Sequence, residues 1–120
     1  MTRFLPRAAI ALTLLLPALA QAQDTPATDC VDLAAGHEIV RGGTQSFLLK
    51  DGERHYRVKL RGACDKLPLA SRLRITTAGQ DNRLCPAGSR VETNRGTCDI
   101  AGSENISAEE FTRQKARLRR

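Results

Sequence analysis

Apolar and polar residues alternate most clearly between positions 45 and 60, where Phe47 and Leu49 precede Asp51-Gly52 and where Tyr56, Val58 and Leu60 follow it. Period-two patterning on both sides of an Asp-Gly pair is the signal of a β-hairpin closed by a two-residue type I′ turn. With the turn at 51–52, Lys50 faces Glu53, Leu49 faces Arg54, Leu48 faces His55 and Phe47 faces Tyr56. Phe47, Leu49, Tyr56, Val58 and Leu60 then turn to the core, while His55, Arg57, Lys59 and Arg61 turn away.

Weaker runs flank this hairpin. A short strand over 37–41 leads into the Gly42-Gly43 turn, and residues 72–77 alternate so that Leu73 and Ile75 point inward and Arg72, Arg74 and Thr76 outward. Residues 79–82 read as a loop. A strand over 89–93 ends at Asn94-Arg95-Gly96, a turn cluster that returns the chain through 97–100. The helical pattern comes last. Ser107 and Glu110 have capping-box spacing, Ile106 and Phe111 stand at the staple positions, and acidic Glu109 and Glu110 precede the basic residues, the order that complements a helix dipole. Phe111, Gln114 and Leu118 form a thin stripe, so the far end is expected to fray. The fold class that follows is mainly β: a small antiparallel sheet or partly open barrel of about five short strands, with a C-terminal helix.

The first residues follow a different rule. Arg3 and Arg7 precede an apolar run over 8–16, then Pro17 and small-residue patterns ending at Ala20 and Ala22, the three-part order of a signal peptide. The run is much shorter than the roughly 20 apolar residues that span a bilayer, so no transmembrane segment is expected after cleavage. The arginines are not adjacent and the first cysteine lies well past the apolar run, which argues against twin-arginine export and lipid attachment. The expected organisation is a signal peptide over 1–22, a disordered lead-in over 23–29, a β domain over 30–104 and a basic helix over 105–120. A periplasmic or secreted location goes with it.

Beyond the leader only Phe47, Tyr56 and Phe111 are aromatic, so the core is poor in large side chains. Cys30, Cys64, Cys85 and Cys98 supply the remedy: an even number of cysteines in an oxidising compartment predicts two disulfides. The 33, 20 and 12 residues between successive cysteines lack the close C-x-x-C pairs of zinc knuckles and thioredoxin-like sites, so neither a metal nor any other cofactor is expected. Spacing leaves the connectivity open. Sequential pairing (Cys30 with Cys64, Cys85 with Cys98) closes the 85–98 hairpin and is slightly favoured; nested pairing (Cys30 with Cys98, Cys64 with Cys85) ties the ends.

The formal net charge of +6 invites a nucleic-acid or membrane partner until its location is considered. Two positive charges belong to the leader, and five fall in Arg113, Lys115, Arg117, Arg119 and Arg120, leaving residues 23–112 with 12 basic against 13 acidic side chains. No nucleic-acid partner is expected. Arg57, Lys59, Arg61, Arg72 and Arg74 would form one anion-binding patch if their strands were neighbours, and Arg113, Lys115 and Arg117 extend the candidates onto the helix. Such a surface suits an anionic envelope polymer, lipid headgroups or the acidic face of an envelope protein. A solvated charged strand face is the plainer reading of the strand cations, since no interleaved aromatic residues offer stacking platforms.

Neither His37 nor His55 has sequence neighbours that make a catalytic site, and no G-x-S-x-G frame surrounds a serine. A hydrolase is the weakest alternative. No catalytic residue is assigned, and the expected function is a non-enzymatic binding or interaction module of the cell envelope. The order Cys30-Val-Asp-Leu33, Tyr-Arg-Val-Lys-Leu60, Cys64-Asp-Lys-Leu67, Arg83-Leu-Cys-Pro-Ala-Gly88, Gly96-Thr-Cys98 and Ile106-Ser-Ala-Glu-Glu-Phe111 resembles an uncharacterised family of small exported four-cysteine proteins of Gram-negative bacteria, a domain of unknown function. The resemblance implies a small, exported, mostly β domain and carries over no active-site residue.

Overall fold

The computed structural model describes residues 24–119; the leader reading, which concerns residues 1–22, lies outside the described residues. The elements are β1 (Thr25–Pro26), β2 (Val31–Asp32), β3 (Glu38–Arg41), β4 (Ser46–Asp51), β5 (Arg54–Leu60), β6 (Leu73–Thr77), β7 (Gln80–Asp81), β8 (Arg83–Leu84), β9 (Ser89–Thr93), β10 (Gly96–Ile106) and α1 (Ala108–Leu118). The mainly β fold is as the patterning predicts: one open, curled antiparallel sheet in the order β3-β4-β5-β10-β9-β6-β7, a C-terminal helix and two disulfides. A separate β2–β8 ribbon lies beside it, and β1 attaches to β10.

The curl comes from β10. Its residues 96–99 pair with β9 and its residues 100–106 pair with β5, with a register break between Ile100 and Gly102. A bulge bends a strand and increases its twist, so the two halves of the sheet face each other. Phe47, Leu49, Tyr56 and Val58 from β4 and β5 thereby share one core with Ile75 and Val91 from β6 and β9. All of these but Val91 are inward residues that alternation selects. Thr76, expected outward, is buried instead, because it is flanked by Asp81 of β7 on one side and Arg90 of β9 on the other.

The central hairpin has the expected faces and a different register. Asp51 pairs with Arg54, Lys50 with His55, Leu49 with Tyr56 and Phe47 with Val58, so the turn residues are Gly52 and Glu53. Gly52 alone of the two has a positive φ, 61°, as in a type II′ turn rather than type I′. Asp51 explains the difference: it is buried, its carboxylate meets the Arg54 guanidinium at 2.9 Å and accepts the Ala34 backbone N–H at 3.2 Å, so it belongs to the strand. Moving the turn by one residue along the chain shifts every pair by two positions in total, which preserves the two faces.

Two boundaries also differ. Residues 24–27 are ordered rather than a disordered lead-in: β1 pairs Thr25 with Asn105 and Pro26 with Glu104, and the Ala27 N–H donates to the Ser103 carbonyl at 2.9 Å. Beyond residue 99 β10 has left β9, and its backbone groups on that edge take β1 as their partner. Asn105 and Ile106 accordingly finish β10, and the helix begins only at Ala108.

The disulfides are Cys30–Cys85 and Cys64–Cys98, neither the sequential nor the nested arrangement. Strand pairing dictates the crossing. β2 sets Val31 against Leu84, which puts Cys30 opposite Cys85, and β5 sets Leu60 against Ile100, which brings the following segment with Cys64 to Cys98. The 85–98 stretch does not close on itself because Cys98 faces Val91 in the β9–β10 ladder.

The β6–β7 turn is made by Ala78 and Gly79, with φ values of 50° and 78°. Two consecutive positive φ values define a type I′ turn, for which Asn-Gly is the preferred pair and alanine carries a steric penalty. Ala78→Asn is expected to stabilise the protein by up to about 1 kcal/mol, read as a rise in the urea midpoint with an unchanged slope.

Candidate functional site

Sheet register places Glu38, Lys50, His55 and Ile106 in one cross-strand row on the outer face, spanning β3, β4, β5 and β10. α1 lies over this row. Ser107 caps it, its Oγ accepting the Glu110 N–H at 3.1 Å, and Phe111 of the first turns packs with Ile106, Leu48 and Val40 in a second apolar cluster. The staple therefore forms. The other half of the capping box does not, because the Glu110 carboxylate accepts the Gln114 amide at 2.6 Å and pairs with Arg113. At the far end Leu118 lies over Gly42, where a β-carbon would sit 2.6 Å from a Leu118 methyl. Rather than fraying, the helix runs on to Leu118 and meets β3's side of the sheet.

Between this helix and the β4–β5 turn runs an open groove of about 930 Å³. Its helix wall is Ala108, Phe111, Thr112, Lys115, Ala116 and Arg119, the i, i+3, i+4 set of one face. Its floor and opposite wall are Glu38, Lys50, His55, Gly52 and Glu53. The two ends differ. Near β10 the His55 and Phe111 rings lie 5.0 Å apart, tilted by 54°. Near β3 the Lys115 ammonium bonds Glu38 at 2.6 Å and also lies 5.9 Å from the Phe111 ring centre.

The Lys115 ammonium bonded to Glu38 holds that carboxyl below its ordinary range, with Lys50 and Arg119 adding to the effect. A depressed carboxyl pKa contributes stability that is present above the unfolded-state value and is lost as pH falls through the folded one. Acidification into the carboxylate range is therefore expected to loosen the last turns of α1. In an NMR titration, the amide shifts of Ala116 and Arg117 should move together with the Glu38 carboxyl and stay still in Glu38→Gln.

The strand cations are not brought into one patch. β5, carrying Arg57 and Lys59, is separated from β6, carrying Arg74, by β10 and β9. Arg57 meets Asp24 at 2.7 Å and Glu104 at 3.8 Å, Lys59 meets Glu104 at 2.5 Å, and Arg74 meets Glu92 at 2.5 Å and Asp81 at 3.5 Å. Glu92, first, and Asp81 also raise the Arg74 pKa. Arg61 and Arg72 are exposed, Arg61 beside Arg90 and Asp99, and Arg72 in a cleft with Asn94. On the helix, Arg117 lines a smaller cleft of about 210 Å³ on the flank away from the groove. Of the helix candidates, only Lys115 reaches the groove, where it joins Glu38, Lys50, His55 and Arg119. Periodicity does not single out those partners, because their neighbourhood depends on register and on where the helix crosses.

His37 Nδ1 lies 2.7 Å from the Ala34 carbonyl oxygen, to which it donates. Among the described residues no three His, Cys, Asp or Glu side chains converge in a metal-holding group, and no helix is long and apolar enough to cross a membrane. The two disulfides suit an oxidising, extracellular-type compartment. No protein-family model matches the sequence, and no curated protein or solved structure is similar to it.

Proposed function

We propose that the protein is an exported, non-enzymatic interaction module of the cell envelope that receives its partner in the groove between α1 and the β3–β5 face. The groove itself carries this reading: it is preformed, bordered on one side by a capped and stapled helix and on the other by a disulfide-tied sheet. A mixed apolar and charged lining is what orients a partner and discriminates among partners. Export to the periplasm or beyond is supported by the leader pattern and by the disulfides, and the cysteine order supports kinship with the small exported four-cysteine family.

The test is a photo-crosslinking residue placed at Thr112 in the groove or at Glu92 on the distant β9, with the tagged protein expressed in a bacterial periplasm. A discrete adduct from position 112 and none from 92 is the expected outcome; adducts absent from both, or equal at both, would remove the groove from the reading. Intact mass of the same preparation should match residues 21–120 or 23–120, with no thiol alkylated before reduction.

A second reading, binding to anionic envelope polymers or lipids, draws on the helix cations. Arg117 and Arg119 are exposed on α1 while Arg57, Lys59 and Arg74 are occupied by carboxylates. It predicts retention on an anionic matrix that weakens with salt and is largely lost when residues 113–120 are deleted.

A further inference from the structure

The two ends of the groove are chemically unlike, and that asymmetry specifies an occupant. At the β3 end Lys50, Lys115 and Arg119 surround a single carboxylate, Glu38, leaving a surplus of positive charge. At the β10 end the lining is Ala108 with the His55–Phe111 ring pair. From Ala108 to Arg119 the helix wall runs about 16 Å, the reach of four or five extended residues.

We propose that the groove binds an extended acidic peptide segment, its carboxylates at the Lys50–Arg119 end and its apolar side chains against His55 and Phe111, with Glu38 acting as an internal placeholder for the ligand's carboxylate. This rests on the groove being the interaction site. Charge complementarity selects the sign of the occupant, and the open, two-ended shape selects a chain over a compact small molecule. In the free protein Glu38 holds Lys115 at 2.6 Å; a ligand carboxylate arriving beside it meets three cations, of which one is already engaged. Glu53, in the β4–β5 turn, is the groove's second carboxylate, and Lys115 bonds Glu38 rather than it.

The placeholder role makes a prediction that general positive charge does not. Removing an acid from a basic surface helps any anion a little, but only a placeholder, when neutralised, frees a cation already aimed into the site. Glu38→Gln is therefore expected to strengthen binding of acetyl-(Leu)₂-(Glu)₃-amide several-fold, while Glu53→Gln, at a groove carboxylate that does not hold Lys115, changes it much less. The paired reversal Lys50→Glu and Arg119→Glu is expected to weaken binding on the order of tenfold or more. Binding is read from ¹⁵N amide shifts of His55, Phe111 and Arg119 in the full mature chain, whose dispersion reports at the same time that each variant is folded.

The uncharged counterpart acetyl-(Leu)₂-(Gln)₃-amide and the basic acetyl-(Leu)₂-(Lys)₃-amide complete the set. Saturable shifts with the acidic peptide alone, strengthened by Glu38→Gln, are the expected result. Equal binding of the uncharged or basic peptide at the same amides would overturn the acidic assignment and leave the groove as an interaction site. No saturable shift with any of the three would overturn both. Shifts with phosphatidylglycerol vesicles but not with the acidic peptide would overturn the peptide assignment in favour of a membrane surface.

Discussion

Replacing Cys64 and Cys98 together by alanine is expected to lower the unfolding free energy by about 4 kcal/mol or more, a large part of what a domain of this size has available. The chain-entropy account gives about 4 kcal/mol for closing a loop with this bridge's sequence separation of 34, and a similar value for the separation of 55 spanned by Cys30–Cys85. Chain entropy thus hardly separates the two bridges, and the native packing decides. Cys64 is buried in the main core with Cys98 packed against it, so their removal also leaves a void. Cys30 is exposed and its partner ties down a ribbon of two residue pairs. Urea unfolding of the two paired variants should therefore show the larger loss for the Cys64–Cys98 pair; the reverse order would mean that the β2–β8 ribbon carries more of the fold than its burial indicates.

Leu67→Ala is expected to cost about 3 kcal/mol, within the usual range for a leucine truncated in a core. Leu67 is fully buried although it lies in the strandless stretch between β5 and β6. Its N–H donates to the Cys64 carbonyl at 3.1 Å, and the Asn94 side chain accepts the Ser71 N–H at 2.9 Å, so the stretch is pinned on either side of it. Leu69, two residues on, is 66% exposed and serves as the control: Leu69→Ala should change stability by no more than a few tenths of a kcal/mol. Denaturant midpoints of the two variants, with slopes compared, decide the matter.

These sites also mark where the sequence is readable. Alternation identifies the inward residues of β4, β5 and β6, because facing is a local property of an extended chain and survives a register shift of two positions. The capping residue and staple of α1 are equally local, which is why Ser107, Ile106 and Phe111 are found where the spacing puts them. The turn type at 51–54 depends on something alternation does not contain, the partners that let the Asp51 carboxylate be buried. Disulfide connectivity is non-local throughout: it follows from β2 lying beside β8 and β10 beside β5, and those pairings join residues tens of positions apart. The groove is illegible for the same reason. Glu38, Lys50 and His55 become neighbours only through two ladders, and Arg119 joins them only because the helix crosses toward β3. Leu67 carries no periodic signal, since a single buried residue in a turn has no period.

The crossing of the disulfides bears on the order in which the protein can mature. In a chain that leaves a membrane N-terminus first, Cys30 and Cys64 are the first two thiols to emerge, and an oxidant acting on them in sequence joins a pair that the folded protein does not contain. Neither native bridge can be made before Cys85 appears, and the sheet cannot close until β10, which joins its two halves and is the last strand in the chain, has followed. Were the chain exported as proposed, vectorial oxidation would run against the native pattern, and maturation would need thiol–disulfide exchange to undo the first bond. An exported chain with this connectivity is expected to be a client for a disulfide isomerase, its yield tracking the isomerase more closely than the oxidase.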